Sequence, residues 1–175
     1  LKAGLIFCLL LAAVCAQAAE PFGFKGVHLG SSIQLTQGDP RFDCRPLTTP
    51  LAEQVCTLRP KEQETLAGAR VNALYYFYDR ARLTQIVIDL PETRFQAASE
   101  ALQGKYGLPD VKTAALTNLS GQRFENRILT WRQGDKQLQA ERYAGRLDRS
   151  VIRFTDTAAA ARIQARRAMP AGQDL

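Results

Sequence analysis

The sequence predicts an α+β fold: one antiparallel sheet with helices on one face, built as two tandem α-β-β-β-like units. Three observations carry this expectation. Residues 71–78 (V-N-A-L-Y-Y-F-Y) and 83–90 (L-T-Q-I-V-I-D-L) are β-rich runs joined by the polar turn Asp79-Arg80-Ala81-Arg82, a hairpin pattern. Phe95, Ala98, Leu102 and Tyr106 then recur at helical spacing, so one helix stripe is apolar. Three further β-rich runs follow at 123–131, 137–143 and 150–155, and a helix laid across such a sheet buries one face of each element.

Taken in order, Lys2, the apolar run 5–15 and Ala16-Gln17-Ala18 read as a secretory signal peptide over residues 1–18, cleaved near Ala18. Acylation of Cys15 is the weaker alternative, because Val14 stands where a lipoprotein signal wants a small residue. Beyond residue 18 no apolar run approaches the ~20 residues of a membrane-spanning helix. The expected location is therefore the periplasm or the exterior. Cys8 and Cys15 would leave with the leader, so Cys44 and Cys56 are expected to pair as a disulfide in an oxidising compartment. They form no C-x-x-C motif and His28 is the only imidazole, so cysteine and histidine cannot assemble a four-ligand zinc site. No cofactor is expected.

Ser31 and Gln34 suggest a capping box opening a short helix that Gly38-Asp39-Pro40 stops. Residues 41–60 hold both cysteines and Pro46, Pro50 and Pro60, and read as an irregular or weakly stranded segment. After the hairpin, Thr93 and Gln96 suggest a second capping box, with Gly107 and Pro109 closing the helix. Residues 113–122 read as a polar connector, and Gln133-Gly134-Asp135 and Ala144-Gly145-Arg146 as turns. Residues 156–175 read as an Ala- and Arg-rich helix with a frayed tail. The expected organisation is one domain over 19–155, with related units at about 22–90 and 91–155.

Here a resemblance enters. The opening G-V-H-L-G at 26–30, the stretch Y-F-Y-D-R-A-R-L-T-Q-I-V-I at 76–88, K-Y-G-L-P at 105–109 and W-R-Q-G-D at 131–135 resemble small secreted proteins of Gram-negative bacteria. More distantly the pattern is similar to the α-β-β-β units of the β-lactamase inhibitory proteins and of the BamE (SmpA) type outer-membrane lipoproteins. The resemblance is one of glycine, aromatic and turn positions across nearly the whole chain after the leader. It implies a noncatalytic protein-binding module of the envelope and transfers no functional residue.

The chemistry-bearing residues agree with a binding role. The sequence has no G-x-S-x-G, H-E-x-x-H, P-loop or dinucleotide fingerprint. His28, between Val27 and Leu29, reads as structural. Asp79, Asp89 and Glu92 are the candidates for the alternative reading, a hydrolase using acidic residues near the hairpin, although turns and helix starts favour acidic residues for their own reasons. Asn118-Leu119-Ser120 matches a glycosylation sequon that a bacterial protein would not normally use. The formal charge is +6, and residues 123–167 carry 11 Lys and Arg against five Asp and Glu. That basic half suits an envelope protein, or an anionic lipid or lipopolysaccharide; nucleic acid would also suit the charge, but with export it is not the expected partner, and the charges also fit a solvated surface with cross-strand pairs. Tyr76, Tyr78, Arg127, Trp131 and Arg142 are the candidate binding residues on a sheet face left free by the helices, because aromatics and arginine dominate binding energy. The competing reading places those aromatics in the core.

Overall fold

The computed structural model describes residues 20–47 and 52–168; the leader read at 1–18 and the tail from residue 169 lie outside the described residues. It is a mixed helix and strand structure dominated by one antiparallel sheet of eight strands. We number them β1 (Phe42–Pro46), β2 (Gln54–Leu58), β3 (Ala73–Asp79), β4 (Arg82–Pro91), β5 (Asp110–Thr117), β6 (Arg123–Gln133), β7 (Lys136–Glu141) and β8 (Arg149–Asp156). The helices are α1 (Gln34–Gln37), α2 (Phe95–Tyr106) and α3 (Thr157–Ala168). Two small ribbons, Gly23–Phe24 with Val27–His28 and Thr65–Leu66 with Ala69–Arg70, stand outside the sheet.

The spatial order is β1-β2-β3-β4-β8-β7-β6-β5. Each half is thus a meander of consecutive strands, and the two halves meet last strand to last strand, with Ile152 opposite Ile88 in the seam. Each meander has four strands where the sequence suggested three. Residues 41–60, expected to be irregular or weakly stranded, supply β1 and β2: their register sets Cys44 directly opposite Cys56, and the disulfide holds that edge despite the prolines. The other missed strand is β5, read as connector from residue 113. It is an edge strand whose residues are mostly exposed, so no alternation of apolar and polar positions marks it.

The hairpin between β3 and β4 turns on Arg80 and Ala81, both left-handed with φ of 51° and 58°, the two-residue turn whose twist matches the strands. Two contacts hold these residues in a region that side chains disfavour. Arg80 N–H donates to Glu53 Oε2 at 2.8 Å, and Ile33 N–H donates to Ala81 O at 3.0 Å. Neither expected capping box forms. Ser31 Oγ accepts the His28 N–H, and α2 follows a 3-10 turn, Glu92–Arg94, while Gln96 reaches forward to Glu100 at 2.7 Å.

Alternation along the strands divides the sheet into two unlike faces. On one, Cys56, Tyr76, Ile86, Phe154, Leu138 and Trp131 stand side by side across six strands, all buried. Phe22, Phe24, Leu29 and Ile33 from the N-terminal segment and Phe95, Ala98 and Leu102 from α2 complete this core. One residue further along, the opposite face shows Thr57, Tyr75, Val87, Arg153, Gln139 and Thr130, all half-exposed. Helices were expected on one face only. Helix α3 departs from this: Arg166 pairs with Asp79, which strand alternation places opposite the core side of Tyr78, and its buried Ala159 and Ile163 lie outside the main core cluster. It therefore covers the turn end of the second face and leaves the central row open.

Candidate functional site

Tyr76, Tyr78 and Trp131 belong to the core and not to a free face. Tyr76 and Tyr78 are each 1% exposed and Trp131 is 5% exposed. Their polar atoms are satisfied within the chain: Tyr76 Oη donates to Phe24 O at 3.3 Å, Tyr78 Oη shares a hydrogen bond with Thr36 Oγ1, and Trp131 Nε1 donates to Gly107 O at 2.8 Å. Burial raises the pKa of both tyrosine hydroxyls, that of Tyr76 well above the ordinary range. The expected binding constellation is therefore wrong. The face it was placed on is the one that α2 and the N-terminal segment cover.

Arg127 and Arg142 are brought together, since Arg142 N–H donates to Arg127 O at 3.0 Å, but they stand apart from the tyrosines. They line a cavity of about 380 Å³ at the start of α2 with Glu92 and Gln96. Arg142 is engaged there: its Nε donates to Glu92 Oε1 at 2.6 Å and its guanidinium lies 4.8 Å from the Tyr143 ring.

The carboxylates proposed for hydrolysis are not gathered into one site. Asp79 binds Arg166, Asp89 binds Arg149 at 2.6 Å and Glu92 binds Arg142. Asp79 sits beside the hairpin turn while Asp89 pairs with Ala73 at the other end of it, roughly 20 Å away at the strand rise. His28 is a packing residue: a Cβ added at Gly23 would lie 2.4 Å from its Nδ1, which has no hydrogen-bond partner because the bare glycine closes over it. Among the described residues no group of three or more His, Cys, Asp or Glu could hold a metal, and no helix is long and apolar enough to cross a membrane.

The second face carries the alternative that the sequence reading missed. Tyr75 and Phe77 stack there with centroids 6.1 Å apart. Beside them is a groove of about 380 Å³ whose floor includes Thr57 and Tyr75 and whose wall is the excursion between β2 and β3, residues 59–72. Arg45, Arg59 and Arg70 line it, all exposed and without an ion pair among the described residues; Glu62 is the one carboxylate on its lining.

The wall is anchored from the opposite side by Glu64, a buried carboxylate. Its Oε1 accepts the Thr65 N–H at 2.9 Å and Lys25 Nζ at 3.2 Å, while Oε2 accepts Arg41 Nη1 at 3.2 Å. Burial alone would raise its pKa, but these donors outweigh it and hold the carboxyl below the usual range. Val71 N–H to Glu64 O and Asn72 N–H to Asp89 O close the far end of the excursion at 2.9 and 2.8 Å.

No family model, no curated protein and no solved structure matches this chain. The sequence signal for the groove was slight, because residues 45, 59 and 70 lie outside the basic C-terminal stretch and are assembled by strand pairing.

Proposed function

We propose that this chain is an exported, noncatalytic binding protein of the bacterial envelope, and that it docks an acidic protein surface on the open face of its sheet. The observation that carries this reading is the half-exposed row Thr57, Tyr75, Val87, Arg153, Gln139 and Thr130, continuous across six strands and free of acidic side chains. A surface mixing an aromatic ring, an aliphatic side chain and an arginine over a pre-formed sheet suits protein docking, and its charge selects an acidic partner. Export rests on the leader at 1–18 and agrees with the Cys44–Cys56 bond, since such bonds persist in oxidising compartments. We also read residues 22–90 and 91–155 as related units: each combines a helix with a four-stranded meander, in keeping with the resemblance to tandem envelope modules.

A photocrosslinking side chain placed at Val87 on the open face and, as a control, at Gln96 on the exposed side of α2 tests this in intact cells. We expect one adduct of discrete mass from position 87, lost when Arg153→Glu is added, and none from position 96. Adducts only from position 96, or only to lipopolysaccharide, would overturn the reading.

A further inference from the structure

We propose that the groove lined by Arg45, Arg59 and Arg70 receives a carboxylate-rich, partly apolar peptide segment of the acidic partner. This rests on the docking reading above and names what that face recognises at one end.

Charge distribution is the first ground. Elsewhere the basic side chains that contact this region are spent on the chain's own carboxylates: Arg41 on Asp39 and Glu64, Lys25 on Glu64, Arg149 on Asp89. The three groove arginines have no such partner among the described residues. Arg59 is steadied without being neutralised, because its Nε donates to Phe42 O at 3.3 Å and the rest of the guanidinium stays available. Three guanidinium groups against Glu62 alone leave a net positive cleft, and each fork matches a carboxylate in two-point geometry.

Rigidity is the second. The wall is fixed by Glu64 from below and by the Val71 and Asn72 amide bonds at its end, so the backbone that carries Arg59 and Arg70 is set before a ligand arrives and the ordering left to binding is that of side chains. Shape and lining select among anions. The groove is an open cleft of about 380 Å³ whose lining includes, besides the arginines, the exposed Pro60 and the half-buried Tyr75, while Leu58 and Val71 at its edge belong to the core. An extended peptide whose acidic residues alternate with apolar ones offers groups to both kinds of surface, whereas a bare phosphate offers nothing to the apolar positions.

The test uses the full chain and a fluorescein-labelled peptide, Glu-Leu-Glu-Leu-Glu-Glu, followed by anisotropy, with a Lys-for-Glu peptide as control and phosphatidylcholine vesicles with or without phosphatidylglycerol. We expect the acidic peptide alone to bind, more weakly as salt rises. Arg45→Glu and Arg70→Glu should each weaken it roughly tenfold without moving the melting transition, and Glu62→Gln should tighten it severalfold. Peptide affinity indifferent to both arginine reversals, or arginine-dependent binding of phosphatidylglycerol vesicles in place of the peptide, would overturn the inference. Failure here together with an Arg153-dependent crosslink at Val87 would leave the docking face standing. Groove-dependent peptide binding without that crosslink would uphold the groove and remove only the wider face.

Discussion

At the scale of single residues, Trp131 shows how burial reverses an expected phenotype. Its ring is core and its Nε1 is bonded to Gly107 O, so Trp131→Ala removes a large packed side chain and strands a carbonyl at the helix exit. We expect a loss of about 3–5 kcal/mol in chemical denaturation, with partner binding affected only through unfolding. Glu64 sets a pH dependence. Its folded-state pKa lies below the unfolded value near 4.3, so its stabilisation is complete above that value and disappears as pH falls through the folded one. The melting temperature should therefore drop between pH 5 and pH 3 by more in the wild type than in Glu64→Gln. At pH 7 that substitution should cost about 1–2 kcal/mol, a figure held down because Lys25 and Arg41 are each nearly half exposed to screening water. At this scale the sequence was least informative about direction. In L-Y-Y-F-Y every residue from 74 to 78 is apolar or aromatic, so alternation could not say which of Tyr75 or Tyr76 faces inward; that is decided by α2 and the N-terminal segment, which pack against the even-numbered positions.

Among the elements, the edge strand β1 depends most on one bond. Cys44 and Cys56 are opposed in register, with Cα atoms 4.0 Å apart, so the disulfide staples β1 to β2 where proline-containing flanks weaken pairing. Cys44→Ala should lower stability by about 2–4 kcal/mol, and hydrogen exchange should quicken across β1 and β2 while the amides of β7 and β8 stay protected. Uniform acceleration over all eight strands would contradict that localisation. Since Arg45 rides on β1, the same substitution should also weaken acidic-peptide binding. The legible elements were those with one buried side: the β3–β4 hairpin, α2, and β6 to β8. Those hidden from sequence were exposed on both faces, as β5 is, or short with prolines at or near their ends, as β1 and β2 are: Pro46 ends β1, Pro50 and Pro60 stand on either side of β2 in the sequence, and the two adjacent buried residues of β2, Val55 and Cys56, make no alternating pattern. The candidate site suffered the same way: its three arginines become neighbours only through the pairing of β1 with β2 and of β2 with β3.

For the molecule as a whole, the governing feature is the seam between β4 and β8, where residues 85–91 pair with 149–155. Two meanders that are each local in sequence are fused by contacts about sixty residues apart, so the fast, local part of assembly is followed by one non-local closure. The order of synthesis then matters. A chain emerging from its N-terminus completes β4 with one side of its backbone unpaired, and that edge carries Ile86, Ile88 and Leu90, which are fully buried in the finished sheet. Until the residues of β8 arrive, the first half presents a long apolar strand edge to any other strand it meets, including the same edge of a second nascent chain. A message or a protease that stops the chain ahead of residue 149 thus yields a fragment predisposed to edge-to-edge aggregation, and the last strand acts as the built-in guard for the first half.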